Sequence, residues 1–414
     1  MNKGNQALSA AWLAMLNRAF PATRIRLIER RPRHLCQYTL RQFAAERDPF
    51  AAFDALATKL AKLAPGPDTL ADSFGSAKIT LDETIPAPGR FTEVRKFINL
   101  RGLAARAGLY ADEYRNRLAA CQRARLVIVN PAGEFFPREP LAAFYHVLDA
   151  HVAQKLGRPT AIVNHTMDIT DPTMRILIPR VYETLALVGF RDEKSIGAFK
   201  EMGGKTANVL VTPDLALTTE VATKPTRRNG TIAIAVNVPE AEANGYLDQW
   251  RTAIGVLRGK DFKIELVSNE MPAEIPFYEE MTRRYPEIKV AGGGFDHDRY
   301  CQLLGQYDFV ITSRMHTGIL AMIMGTPVIP VEGASFKMTG LFHELGFASP
   351  VIRPTANRDW VDKLAERAAA LRGDGDRDAA SRDTSTKIGT VRERVTSLLV
   401  PRLRAVADAT VGAP

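Results

Sequence analysis

The sequence predicts an α/β protein made of two doubly wound domains facing a cleft. Three observations lead there. Short β-branched runs alternate with helical patterns along most of the chain. The alternation falls into two series on either side of a polar segment, residues 223–230, which contains Pro225. The length, 414 residues with 46% hydrophobic and 24% charged, supports two cores without disulfides or structural metals.

In chain order, residues 7–18 form an apolar helical pattern and residues 24–29 alternate like a strand. Helix before strand is unusual, because a parallel α/β domain normally opens with a strand that delivers a Gly-rich turn, here residues 2–6, to a helix. A first strand is therefore expected upstream of Met1, or another element covers that sheet position, and residues 1–6 are expected to be poorly ordered. Residues 51–63 read as a helix, and residues 65–90, rich in Pro, Gly, Ser and Asp, as a long loop suited to a mobile acceptor flap. After a helical stretch at 110–123, strands are expected at 126–130, 160–164, 185–190 and 207–211. The second series places strands at 231–237, 263–268, 288–291, 309–312 and 327–331. Residues 373–385 read as a charged connector before a last helix, 387–406. The expected division is thus 1–224, completed by that helix, and 225–386.

Composition narrows the partners. The charge, 55 basic against 46 acidic residues, is +9 and favours anionic ligands. Arg30-Arg31-Pro32-Arg33 and Arg227-Arg228 are too short to form a nucleic-acid track, so no nucleic acid is expected. Residues 317–331 are the most apolar stretch, but Gly325 and Pro327 interrupt it and it falls short of a membrane span. With no signal-peptide pattern, the expected location is cytoplasmic, with peripheral association at the inner face of the cytoplasmic membrane as the closest approach to lipid. Cys36, Cys121 and Cys301 are far apart, which fits neither a disulfide framework nor a zinc site. His146 and His151 are five residues apart on a helical stretch and so do not share a face, and no metal site is expected.

The chemistry concentrates between residues 307 and 346. A strand ends at Thr312, and Ser313-Arg314-Met315-His316-Thr317-Gly318 opens the next helix. Ligands of open α/β sheets bind beyond the carboxyl ends of strands, and a helix N-terminus there favours anions. Arg314 offers a planar fork for carboxylate or phosphate, Thr317 lies in the first turn, and Lys337 follows the next strand, so three cationic groups, Arg314, His316 and Lys337, are expected to converge. In the bland alternative Arg314 salt-bridges the sheet and His316 caps a helix. Gly292-Gly293-Gly294 is either a phosphate cradle or, more commonly, a turn.

This stretch resembles the polysaccharide pyruvyltransferase family, whose signature runs aspartate, strand, Arg-x-His, a small-residue helix, Gly-x-Pro, strand and lysine. Here it reads Asp308-Phe309-Val310-Ile311-Thr312-Ser313-Arg314-Met315-His316, then Ala321, Gly325-Thr326-Pro327-Val328-Ile329 and Lys337. Asn2-Lys3-Gly4-Asn5-Gln6-Ala7 is similar to the family's opening Asn-x-Gly-acid-acid turn, residues 130–134 to its glycine-rich acidic turn, and Arg191-Asp192-x-x-Ser195 with Asp214 to its central motifs. Asn5 and Gln6 are amides where the family has acids, and the glycine-rich turn is reduced to Pro131-Ala132-Gly133.

The resemblance implies two Rossmann-like domains in a GT-B-like fold, phosphoenolpyruvate as co-substrate with no further cofactor, and a pyruvate ketal on a saccharide or lipid-linked glycan acceptor. Arg314, Arg191, Lys337 and Thr317 then belong to the donor, Asn5 and Gln6 to the acceptor, and His316 to proton transfer or phosphate. Arg191 alternatively pairs with Asp192. Glu134 and His165 compete as general base, each with a plain alternative, a solvated loop glutamate and a hydrogen-bonded core histidine. Two other readings remain at this point. One is a glycosyltransferase using a nucleotide-activated sugar, with Glu332 holding a ribose, and the other is a non-catalytic glycan-binding homologue.

Overall fold

The computed structural model describes residues 3–25, 40–64, 111–137, 140–221, 225, 230–270, 272–348 and 351–409. The expected flap at 65–90, residues 26–29 of the expected strand and residues 223, 224 and 226–229 of the polar segment lie outside these residues.

The chain opens with α1 (Lys3–Ala19), α2 (Arg41–Ala44), α3 (Pro49–Ala61) and α4 (Ala111–Arg123). There follow β1 (Val127–Val129), α5 (Pro140–Lys155), β2 (Thr160–His165), α6 (Pro172–Tyr182), β3 (Leu187–Phe190), α7 (Glu193–Glu201) and β4 (Val209–Val211). A 3-10 turn (Leu215–Thr218) leads to β5 (Thr231–Ala235), α8 (Val238–Ala243), α9 (Leu247–Gly259), β6 (Lys263–Val267), α10 (Ile275–Arg284), β7 (Lys289–Ala291) and α11 (His297–Leu304). The last elements are β8 (Val310–Thr312), α12 (Met315–Ile323), β9 (Val328–Pro330), α13 (Lys337–Glu344), α14 (Asp359–Ala370) and α15 (Asp374–Asp408). The expected α/β alternation is therefore present.

Contacts divide the chain into two compact units. One comprises Met1–Thr23, Phe190–Ile196 and Val211–Arg402, and the other Arg24–Gly189, Gly197–Leu210 and Leu403–Pro414.

The first of these contains a five-stranded sheet in the order β7-β6-β5-β8-β9. All its pairings are parallel, with Ile234 opposite both Leu266 and Ile311. Strands β5, β6 and β8 at its centre are short β-branched runs buried almost throughout, as the middle of a parallel sheet covered on both faces requires, while the edge strand β7 is largely exposed. Strand order reverses between β5 and β8, which makes the carboxyl ends of these two strands the topological switch point. The core beneath it gathers Ile232, Ile234, Leu266, Ile311, Trp250 and Trp360. The two tryptophans meet edge to face at 5.2 Å. Full burial of each large apolar side chain contributes about 1.5–3 kcal/mol.

Two elements sit differently from expectation. Helix α1 does not follow a strand of the first sheet. Its stripe Ala7, Leu8, Ala11, Trp12 and Met15 packs against α11, α12 and the 3-10 turn, within the unit of the five-stranded sheet. Lys3 and Gly4 are buried at its start, so residues 3–6 are a seated helical turn rather than a loose end. The connector expected at 373–385 is also helical, since α15 runs unbroken from Asp374 to Asp408. Arg377, Thr384, Ile388, Val391, Val395, Leu399 and Leu403 recur at helical spacing and are all buried. Most of α15 therefore belongs with the five-stranded sheet, where helix 387–406 was expected to complete the other domain.

The other unit holds the sheet β1-β2-β3-β4, with β1 and β2 parallel and Val127 opposite Thr160. Its described strands follow sequence order without a reversal. Every residue of β2 is buried, and α5 is buried along most of its length. No described helix is long and apolar enough to cross a membrane.

Candidate functional site

The turn after β8 is built by short side chains. Thr312 Oγ1 donates to the Ala235 carbonyl of β5 at 2.9 Å and accepts from the Arg314 amide at 2.9 Å. The Asn237 amide, beyond the end of β5, donates to Ser313 Oγ at 2.9 Å. The two strand ends at the switch point are thereby locked together, and Arg314 and His316 project from a fixed turn. Thr317 does not reach toward a ligand as expected. Its side chain is fully buried and its hydroxyl meets Tyr300 Oη of α11 at 3.1 Å, so it secures α12.

Arg314 is buried and paired with acids. Its Nη1 donates to Glu270 Oε2 at 2.9 Å, and its Nη2 lies 2.7 Å from Glu274 Oε1. Glu274 is fully buried, and its Oε2 accepts from Ser268 Oγ and from the amides of Asn269 and Glu270 at 2.7, 3.0 and 3.1 Å. Burial opposes the charge on Arg314, but the two glutamates outweigh it and raise its pKa. The bare cluster of cations expected here is thus a set of compensated charges. Glu270, with 43% of its side chain exposed, is the partner a ligand anion would displace most easily. Arg314 Nε has no hydrogen-bond partner among the described residues.

His316 and Arg191 share one carboxylate. Arg191 Nη1 donates to Asp214 Oδ2 at 2.5 Å, with the side chains 3% and 1% exposed, and His316 Nε2 is 3.6 Å from the same oxygen. Asp214 also caps the 3-10 turn through the Ala216 amide at 2.8 Å. Burial would raise its pKa, yet Arg191 and then His316 hold it far below the usual carboxylate range. Asp192 Oδ1 accepts from the amide and hydroxyl of Ser195 at 2.8 and 2.9 Å, at the start of α7.

The remaining expected residues are spread around this core. Lys337 is the first residue of α13 and is half-buried. Glu332 is not open to a ribose, because its two oxygens accept from the Met338 and Thr339 amides at 3.0 Å each and from the Thr339 hydroxyl. It serves as an internal anion for the first turn of α13. Gly292 has φ +86° and lies against the Ser268 carbonyl, so the glycine run is a tight turn, and the Lys3 ammonium faces the Gly293 carbonyl at 3.4 Å. Asn5 is exposed and Gln6 half-buried in the first turn of α1.

Glu134 and His165 belong to the other unit. Glu134 follows β1 in a turn where Ala132 has φ +51°, and its Oε2 lies 2.9 Å from His146 Nε2 on α5. One turn further along α5, Asp149 pairs with Arg117 at 2.5 Å, and burial raises its pKa despite Arg117 and His146. Glu134 is therefore a held carboxylate and not a solvated loop residue. His165 is fully buried, with Nε2 3.0 Å from Tyr182 Oη and its ring 5.0 Å from that of Phe135. This is the environment of a hydrogen-bonded core histidine. His151 pairs with Asp54 at 2.7 Å, so neither α5 histidine is oriented as one of a pair.

The sequence profile of the family described as polysaccharide pyruvyl transferase matches residues 2–335, from the first turn of α1 past Arg314 and His316 to the loop before α13. The chain belongs to that family. No curated protein matches it. Among solved structures, Anabaena Alr3699/HepE in complex with UDP and glucose has a TM-score of 0.48 and 14% identity, covering 77% of this chain and 89% of that one. S. aureus MnaA with UDP has a TM-score of 0.47 and 14% identity, covering 67% and 74%. A GtfA/B complex has a TM-score of 0.46 and 12% identity, covering 63% and 55%.

Within this pyruvyl transferase family chain, sequence reasoning had found Arg314, His316, Arg191 and Asp214 but not the acids that frame them. Glu270 and Glu274 stand just beyond β6, next to β5 in the sheet, and Ser268-Asn269-Glu270 at a strand's carboxyl end was the available signal. His146 was weighed only as a metal ligand, and its pairing with Glu134 is set by the fold of the turn after β1.

Proposed function

We propose that the protein transfers the pyruvyl group of phosphoenolpyruvate to a hydroxyl pair of a saccharide, releasing phosphate and forming a cyclic ketal in the synthesis of an exopolysaccharide, capsule or cell-wall glycan. The observation that carries this reading is that Arg314 and His316 leave the same switch-point turn, and that His316 and the Arg191 guanidinium converge on one carboxylate, Asp214.

The reaction adds a proton to the methylene carbon of the donor and a sugar oxygen to the adjacent carbon. The second sugar hydroxyl then adds at that carbon as the C–O bond to phosphate breaks, and the leaving phosphate takes the electron pair and carries away the second hydroxyl's proton. Arg314 binds one anionic group of the donor as Glu270 gives way, and Arg191 contributes positive potential opposite developing charge. His316 supplies the proton or stabilises the leaving phosphate, with the Asp214 carboxylate 3.6 Å from its Nε2. Lys337 adds charge from the start of α13. Glu134, held by His146, is proposed to take a proton from a sugar hydroxyl. The filled oxygens of Glu332 weigh against a nucleotide-sugar donor.

The test is turnover. Purified protein, phosphoenolpyruvate and a panel of extracted lipid-linked glycans should yield phosphate together with a glycan whose mass has gained a pyruvyl ketal. Transfer of a sugar from a UDP-sugar under the same conditions, with no ketal from phosphoenolpyruvate, would replace this reading.

A further inference from the structure

Gly4 stands in the first turn of α1, directly against the side chain of His316. A methyl group built on its Cα would lie 2.6 Å from His316 Nδ1 and still nearer to Cβ, inside van der Waals contact. The backbone gives no reason for glycine here, since Gly4 is not among the positive-φ residues and glycine is the poorest ordinary helix former. The three atoms nearest to such a methyl group all belong to His316. The turn is fixed in place, because the Lys3 amide donates to the Asn269 carbonyl at 3.4 Å and the residues that follow, Ala7, Leu8 and Ala11, are buried. On its other edge, His316 presents Nε2 to Asp214.

We propose that the first turn of α1 is a positioning element of the site, with Gly4 as the positioning residue that confines the His316 ring and keeps its Nε2 edge toward Asp214. The contact stands on geometry alone, and its consequence for turnover rests on the role given to His316 above. An alanine at position 4 must push the ring aside or lift the helix, and either change disturbs the only histidine of the Arg-x-His motif.

The test is a size-exchange cycle read without substrate, using the full chain as wild type, Gly4→Ala, His316→Gly and the double variant. Gly4→Ala should lower the melting temperature by on the order of 5 °C, the scale of a modest overpacking. In the His316→Gly background, which removes Cβ together with the ring, the same change should cost nothing or raise the melting temperature, because the obstacle is gone and alanine is the better helix former. The ring signals of His316, identified among the seven histidines by their loss in His316→Gly, should shift in Gly4→Ala while those of the other six hold. Equal losses in both backgrounds, or an unmoved His316 signal, would overturn the proposal. If Gly4→Ala fails to fold, a folded double variant supports the proposal and an unfolded one overturns it. Because no pyruvyl transfer is measured, failure of this contact and failure of the proposed function are separable.

Discussion

At the scale of single residues, the site is defined by which charges are compensated and by what. Arg314→Ala should raise the donor KM and weaken donor binding by a few kcal/mol, the cost of losing a charged partner from a desolvated site. His316→Ala should instead lower kcat by roughly 10² to 10⁴ while donor binding changes much less. Steady-state kinetics with phosphoenolpyruvate separates the two. Glu270, the exposed partner of Arg314, competes with the donor in this account, so Glu270→Gln should tighten phosphoenolpyruvate binding by up to about 5-fold, the worth of a surface ion pair. Calorimetry that finds weaker binding would mean that Glu270 orients the fork and does not occupy it. Asp214 yields a prediction in pH. Its pKa is depressed in the folded state, so its contribution to stability is present above the unfolded carboxylate value of about 3.9 and is lost as pH falls through the folded value. The stability gap between wild type and Asp214→Asn should therefore shrink below about pH 4, as read by denaturant melts across pH.

At the scale of elements, buried polar contacts decide where helices end and dock. Asp308 accepts from the Gly230 amide at 2.7 Å and from Arg377 of α15 at 3.0 Å, with both side chains nearly buried. Arg377→Met leaves that carboxylate without its cation and should cost about 3–5 kcal/mol in a urea melt. The same experiment on Glu332→Ala, which uncaps α13, should show about 0.5–2 kcal/mol. These contacts also mark the limit of what the sequence discloses. The strands around β5, β6 and β8 were legible because β-branched runs between turn residues have one physical reading, and the Arg-x-His turn because it follows such a strand. The affiliation of α1 was not legible, since an apolar stripe says that a helix is buried and not against which sheet. The continuity of α15 was also hidden, because its first turns are rich in charge and small residues, and what docks them is tertiary, Arg377 onto Asp308 and the Ser381 hydroxyl onto the Gly325 carbonyl. The pairing of Glu270 and Glu274 with Arg314 depends on the adjacency of β6, β5 and β8, which separates partners by about forty positions in sequence.

At the scale of the whole molecule, the chain is a member of the polysaccharide pyruvyl transferase family, and its five-stranded unit carries Arg314 and His316 at the turn that follows β8. The central claim is that this unit is built for phosphoenolpyruvate. A ligand that binds only the folded state stabilises it by about 2.7 kcal/mol at a hundredfold excess over its dissociation constant. Thermal melting of the full chain at saturating phosphoenolpyruvate, with UDP-glucose and CMP-sialic acid in parallel, reads this directly. The account predicts a rise in melting temperature with phosphoenolpyruvate that Arg314→Ala abolishes, and no rise with either nucleotide sugar. A rise with a nucleotide sugar and none with phosphoenolpyruvate would contradict it.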